Sequence, residues 1–517
     1  MIAETTWNSA KSYATPDISQ EYSGRLALYF KSVRGLNLVR LAEYLKKAAR
    51  ENVEDVFLLA FHIRDCRGGK GERDLGRLIL RWLLINHPCK FSKIFHLIPE
   101  YGRWDDLLYL FPNVLNLEDK NYIKNNYMSN IKKITQARTT QDEIVKFFTK
   151  QLLDDISHMK QGEACSIAGK WAPSEGDSLD RKYNVVQEFC KALDRSPRLY
   201  RKTIISPLRE YLDIVERRIC QKDWTGIDYS RVPSCAMHKL KRAFERHNLI
   251  SFEDWLNKVK IGKSKINAKQ LFPHQLVSQY MYIGRNTIDK IIELQWKVLV
   301  DKTRELGIFD SSIVVCDVSG SMYSTISDGL KPVHISVALG ILISTVTRAP
   351  FTNNLITFET SPKFKILQKR TLFDQVQEVL NMGWGGSTNI QEVFNLILRT
   401  AHRNELTQEE LPNRVYIISD MQFNQADDSN SQTNYEAIIN KYKKYNYQVP
   451  QLVFWNVNGS SSDFVAQSNH KNIIMISGFS TDILKSVLNL GEFNPISALR
   501  STLDSERYAP VTEAFNK

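Results

Sequence analysis

The hydrophobic period of this chain changes once, near Gly307, and that change sets what it can fold into. Upstream, from about Leu36 to Val300, apolar residues recur every three or four positions. Val39, Leu41, Leu45 and Ala48 form one series, Val56, Leu59 and Ala60 a second, and Leu75, Leu78, Leu80, Leu83 and Leu84 a third. That spacing lays an apolar stripe along a helix. Short polar turns, such as Arg67-Gly68-Gly69-Lys70-Gly71 and His87-Pro88, separate the segments. Antiparallel helices stacked as a degenerate, HEAT-like α-solenoid are therefore expected. The stretch 161–182, rich in Gly, Pro, Ser and Asp, reads as a long loop within it.

Downstream, short runs heavy in β-branched residues take over: Ser312–Cys316, Asn354–Phe358, Val415–Ser419, Leu452–Asn456 and Ile473–Ser477. Helix-compatible stretches alternate with them, at Val333–Thr347, Thr371–Asn381, Ile390–His402, Asn434–Tyr445 and Ser480–Leu488. Continuous apolar strands alternating with helices predict a doubly wound parallel sheet, whose ligands sit at the carboxyl ends of the strands. The expected fold class is an α region joined to an α/β domain. It is divided into a helical-repeat region over 20–305, the α/β domain over 306–490, and a tail over 491–517 packing back on the body.

Charge is divided along the same line. The 517 residues carry a net +12, but residues 1–305 hold +15 and residues 306–517 hold −3, with +11 in 181–270 alone. A basic half is a candidate surface for nucleic acid or another polyanion. Candidate contacts in and before that segment are Lys170, Arg201, Lys202, Arg217, Arg218, Lys239, Lys241, Arg242 and Arg246. Tyr211, Trp224, Tyr229, Phe244 and Trp255 are interleaved with them. Such aromatics either stack on bases or form a helical core with the cations on a solvated face. The seven cysteines are scattered without a CxxC, which fits a reducing compartment. The first residues lack a secretory signal and no apolar run is long enough to span a bilayer. A cytoplasmic location is expected, with packaging in the virion for a chain of viral origin.

The residues with the most definite chemistry sit at the predicted strand ends. The first strand runs into Asp317-Val318-Ser319-Gly320-Ser321, a glycine turn supplies Thr388, and Val415–Ser419 runs into Asp420. Asp317, Ser319, Ser321, Thr388 and Asp420 are all hard oxygen donors, suited to a divalent cation, most simply Mg²⁺.

This set resembles the metal-ion-dependent adhesion site of the von Willebrand factor A domain, over about 306–490. The resemblance implies that Ser319, Ser321 and Thr388 coordinate the metal. It also implies that Asp317 and Asp420 act partly through water, and that a carboxylate of an acidic protein partner completes the octahedron. That family often has Gly after the last Asp, where this chain has Met421. The segments Arg64–Asp74, Tyr101–Asp106, Asp317–Met322 and Phe454–Asn456 look like signatures of a domain-of-unknown-function family of plants and large DNA viruses. More distantly, helical repeats closed by an A domain are similar to the Ro autoantigen (TROVE) architecture, which implies RNA binding.

The turn Arg67–Arg73 is not a P-loop, because no Ser or Thr follows Lys70 and no strand precedes it. Two readings of it remain. Arg67, Lys70 and Arg73 contact RNA phosphate, or the glycines end a helix while Asp65, Glu72 and Asp74 pair with the arginines. Neither Cys66 with His62 nor Cys235 with His238 makes a convincing nucleophile pair, and no HExxH, GxSxG or kinase set occurs. The expected function is that of a non-catalytic RNA-binding scaffold whose metal site recruits an acidic partner. A protein-interaction module acting through the metal without RNA is the alternative.

Overall fold

Strands β1 (Ser312–Asp317), β2 (Asn354–Phe358), β3 (Phe364–Ile366), β4 (Arg414–Ser419), β5 (Gln451–Asn456) and β6 (Ile473–Ser477) form one sheet in the order β3-β2-β1-β4-β5-β6. The structure is a computed structural model that describes residues 23–111, 131–281, 287–307, 311–327, 329–358, 362–382, 390–421, 434–460, 471–488 and 493–516. Every strand pair is parallel except β2 with β3. β1, β4 and β6 are buried along their whole length, which is why they read as unbroken apolar runs. β3 was not anticipated: it is short, largely exposed and carries Lys365, the makeup of a protected edge. No helix among the described residues is long and apolar enough to cross a membrane.

The helix Pro332–Val346 is apolar almost all round and buried from Pro332 to Ser344. It lies so close to β1 that a Cβ added at Gly340 would stand 2.0 Å from the sulfur of Cys316. Ser336 donates to the carbonyl of Ile418 (3.1 Å), tying the same helix to β4. Chain order reverses between β1 and β4, so the carboxyl ends of two adjacent strands open the crevice where ligands sit on such sheets.

Packing divides the described residues into two compact units whose chain segments alternate. One takes the residues up to Val56, then Pro233–Lys239 and Leu256–Asp504. The other takes Phe57–Val232, Leu240–Trp255 and the residues from Ser505 on. The linear division expected at 305/306 thus differs from the packing, because helices on the N-terminal side complete the layers around the sheet. Tyr29, 1% exposed, has its hydroxyl 3.3 Å from that of Ser486 and 3.1 Å from that of Thr502. Glu293 accepts the N–H groups of Leu372 (2.8 Å) and Phe373 (3.1 Å), capping the helix Leu372–Leu380. The tail divides as well. The helix Pro495–Leu503 belongs to the sheet-bearing unit, where Arg500 reaches Asp55 (3.0 and 3.1 Å), while Ser505 onward belongs to the helical unit.

In the helical unit the two glycine-containing signatures are structural. Asp65, fully buried, accepts the N–H groups of Arg67 (2.9 Å) and Gly68 (3.1 Å) and a two-point pair from Arg507 (2.9 and 3.1 Å). Arg67 donates to the carbonyls of Glu100 (2.6 Å) and Gly102 (3.0 Å). A Cβ at Gly69 would lie 2.2 Å from the carbonyl oxygen of His62, and Gly71 has φ +68°; both glycines end the helix Val53–Arg64. Lys70 is 0% exposed, so the expected contact of Lys70 with RNA phosphate is corrected: the ammonium group has no path to solvent. Burial pushes its pKa down to about 7 against the pull of Glu72. Arg73 stays exposed beside Asp74 (3.0 Å).

The second signature, Tyr101–Asp106, supplies the partner of two buried guanidinium groups. Asp106 accepts from Arg64 (2.7 Å) and Arg77 (2.6 Å), and Asp105 accepts from Arg77 (2.8 Å). Burial works to raise the carboxyl of Asp106, but Arg64 and Arg77 hold it below the usual range. Gly102 is required there, since its Cβ would stand 2.2 Å from Asp106 Oδ2.

Two outcomes are expected. Gly340→Ala destabilises by about 1–3 kcal/mol through overpacking, despite the helix propensity of Ala, and Cys316→Ala in that background restores part of the loss; a double-mutant cycle by urea unfolding measures the coupling. Lys70 sheds its proton near pH 7 in the folded state and, in the unfolded state, near its ordinary value of 10.5. The unfolded chain therefore binds more protons between those limits, and stability rises with pH across that window by up to about 1.4 kcal/mol per pH unit. Below pH 7 the contribution is flat. Lys70→Met flattens the window, read from unfolding midpoints at pH 7 to 9.5.

Candidate functional site

β1 delivers Asp317 to the crevice, and the chain then turns through the short 3₁₀ segment Gly320–Tyr323. Asp317 Oδ1 accepts the N–H of Ser319 (2.9 Å), which curls the loop back over the strand end. Its Oδ2 accepts the hydroxyl of Ser419 (2.6 Å), and Ser419 Oγ in turn accepts the N–H of Met421 (3.0 Å). Cys316 stands in register with Ile418, so Asp317 and the Ser419-Asp420 pair leave the sheet side by side. The hydroxyl oxygens of Ser319 and Ser321 lie 3.2 Å apart. Thr388, the third expected hydroxyl donor, lies outside the described residues.

Asp317 is 0% and Asp420 1% exposed. Among the described residues no basic side chain pairs with Asp317, and burial raises its carboxyl above the usual range, opposed by the hydrogen bonds of Ser419 and Ser319. A buried carboxylate without a cation is costly, and a divalent ion bound by oxygen is the charge that would balance it. The donor set therefore fits Mg²⁺. Met421 takes φ +67°, the left-handed conformation that Gly adopts without strain, and is 1% exposed. Ser419 is the member that the sequence reading missed; its signal is a lone hydroxyl at the end of an apolar run, one residue before Asp420.

The candidate RNA contacts fall into two groups. Arg201, Lys202, Lys239, Arg242 and Arg246 are exposed. The others are engaged within the protein: Arg217 with Glu210 (2.9 Å), Arg218 with Asp213 (2.5 Å) and Asp223 (2.6 Å), and Lys170 with Glu216 (3.3 Å). Lys241 is 6% exposed and is corrected as a surface contact, since it lies on the inward face of the helix Ser234–Lys260. Most of the interleaved aromatics are core. Tyr229, Phe244 and Trp255 are buried in one cluster with Phe252, and Trp224 stacks on His247 at 4.1 Å. Only Tyr211 remains exposed.

Two family models match the chain. One described as a domain of unknown function (DUF2828) covers residues 112–309, and another so described (DUF7788) covers residues 311–513. Among solved structures, the crystal structure of the Deinococcus radiodurans Ro (RSR) protein aligns with a TM-score of 0.43 at 12% identity, over 93% of this chain and 99% of that one. The uncharacterized protein L728 of Acanthamoeba polyphaga mimivirus is 30% identical over 528 aligned positions, covering 98% of this chain and 88% of the relative. With that identity sustained over nearly the whole length, the chain belongs to the family of this mimivirus protein.

Proposed function

We propose that this protein is a non-catalytic RNA-binding scaffold with a von Willebrand A-like divalent-cation site. The observation that carries the metal half is Asp317: a fully buried carboxylate at the switch point of the sheet, with hydroxyl neighbours and no basic partner among the described residues. Asp317, Ser319, Ser321, Asp420 and, by resemblance, Thr388 would hold Mg²⁺. The ion would supply an electrophilic coordination position for a carboxylate of an acidic partner. The chain's own contribution is to exclude water from the strand end and to keep Asp317 oriented through Ser419. Support for the RNA half is the +11 over residues 181–270 together with the exposed cations Arg201, Lys202, Arg242 and Arg246.

A second reading, a metal-dependent protein-interaction module without RNA, is favoured by one observation. Arg217, Arg218 and Lys170 have acidic partners inside the protein, which takes these three cations out of the set free to contact phosphate, although the net charge already counts their partners.

For the metal, Mg²⁺ at one hundred times its dissociation constant stabilises the protein by about 2.7 kcal/mol. Asp317→Ala abolishes that shift in calorimetry with Mg²⁺ against EDTA, and an unchanged shift refutes the site. For RNA, binding falls steeply with salt, by about 0.7 in log–log slope for each phosphate contact on a single strand. Charge reversal of Arg242 and Arg246 lowers both affinity and slope. Absence of salt-steep binding to single-stranded and hairpin RNAs leaves the second reading.

A further inference from the structure

The helical unit carries a cleft of about 750 Å³, open to solvent on one side and walled by the segment Lys170–Glu175, the turn Arg201–Ile205 and the helices Ser206–Tyr211 and Val215–Cys220. That is the size of a small-ligand site. One wall is held rigidly. Arg209 donates to the carbonyls of Gly169 (3.1 Å) and Ala172 (2.9 Å) and to the hydroxyl of Ser174 (2.9 Å), and the Tyr200 hydroxyl donates to the carbonyl of Pro173 (3.2 Å). The facing turn, Arg201–Ile205, is π-helical, a local widening that recurs at functional sites.

Three further cations line this cavity: Lys170, Arg201 and Arg217. Arg201 is exposed and makes no ion pair among the described residues. Arg217 directs Nη2 to Glu210, yet its Nη1 is buried and has no hydrogen-bond partner among the described residues. A buried guanidinium N–H without an acceptor is unfavourable, and an anionic oxygen is the group that relieves it. Lys170 is held by Glu216 in a pair exposed enough to exchange for another anion. Pro197, Ile205 and Ile214 form an apolar wall, and two carboxylates also line the space, Glu175 and the Glu216 already paired with Lys170. Cations beside an apolar wall, in a space too large for a lone phosphate ion, call for a phosphate carried on a flat organic body.

We propose that this cavity binds a nucleoside phosphate, with Arg201 and Arg217 on the phosphate and the base against the apolar wall. A free nucleotide and the phosphorylated end of an RNA strand offer the same chemistry. The proposal does not depend on the RNA-scaffold reading, because a free nucleotide needs no extended basic surface.

The test is calorimetric titration of the full-length protein with AMP, UMP, adenosine, inorganic phosphate, and short RNAs bearing a 5′-phosphate, a 3′-phosphate or neither. A mononucleotide or a phosphorylated end is expected to bind at least about tenfold more tightly than its unphosphorylated counterpart. Arg201→Glu and Arg217→Gln each weaken that binding at least about tenfold. Lys150→Glu, at an exposed lysine that does not line the cavity, leaves mononucleotide affinity unchanged. Bound ligand also slows alkylation of Cys220, an exposed thiol in the lining, followed by peptide mass spectrometry. Preference for mononucleotides identifies a free nucleotide as the source, and preference for phosphorylated ends identifies RNA. Failure of every phosphorylated probe to bind at millimolar concentration overturns the proposal. So does binding that is indifferent to Arg201→Glu, a variant that breaks no ion pair among the described residues, or inorganic phosphate binding as tightly as AMP. Loss of long-RNA binding with mononucleotide binding intact overturns the scaffold reading and not this one.

Discussion

A parallel strand buried on both faces can present polar chemistry only where it ends, and β1 is such a strand. The contact that seals it is the approach of the helix Pro332–Val346 at Gly340, against the sulfur of Cys316, one residue before Asp317. That closeness excludes water from the strand up to its last residue. Asp317 is therefore desolvated by the same packing that positions it, and the hydrogen bonds from Ser319 and Ser419 set its orientation. The proposed metal site rests on this arrangement: the sheet forces a carboxylate into an apolar layer and, among the described residues, gives it hydroxyls but no basic partner.

The helical unit shows the opposite use of buried charge. Asp65 and Asp106 are as enclosed as Asp317, but each is matched by guanidinium groups: Arg507 for the first, Arg64 and Arg77 for the second. Both aspartates also accept backbone N–H groups at turns, so these clusters close helix ends while neutralising charge. A motif dense in Arg, Lys, Asp and Gly looks like a ligand loop when written as a sequence. Here its polar atoms face one another. Asp317 differs from these two aspartates in having no guanidinium partner among the described residues and in standing at the carboxyl end of a buried strand.

The same distinction sorts the cations. Arg218 is held between Asp213 and Asp223, and Lys241 points inward, whereas Arg201, Lys202, Arg242 and Arg246 face solvent. The number of Lys and Arg residues counts all of these equally, but the solvent-facing group is the one placed to neutralise phosphate. Arg217 is intermediate: Nη2 is satisfied by Glu210, while Nη1 is buried beside a cavity without an acceptor among the described residues.

Sequence by itself determined the α region, the five buried strands and the order in which Asp317, Ser319, Ser321 and Asp420 arrive at their ends. Each of these is written in a local period or a local run, and burial on both faces enforces it. Edge strand β3 was illegible, because a short exposed strand carries no apolar run. Which helices belong to which unit was decided only in three dimensions: Tyr29 and Glu293 look like ordinary amphipathic-helix residues until Ser486, Thr502 and the start of the helix Leu372–Leu380 are placed beside them. Lys70 and Lys241 could not be told from surface lysines, since burial is a property of what surrounds a residue. The cavity at Arg201 and Arg217 was equally hidden, for its walls come from segments more than twenty residues apart that only the tertiary packing brings together.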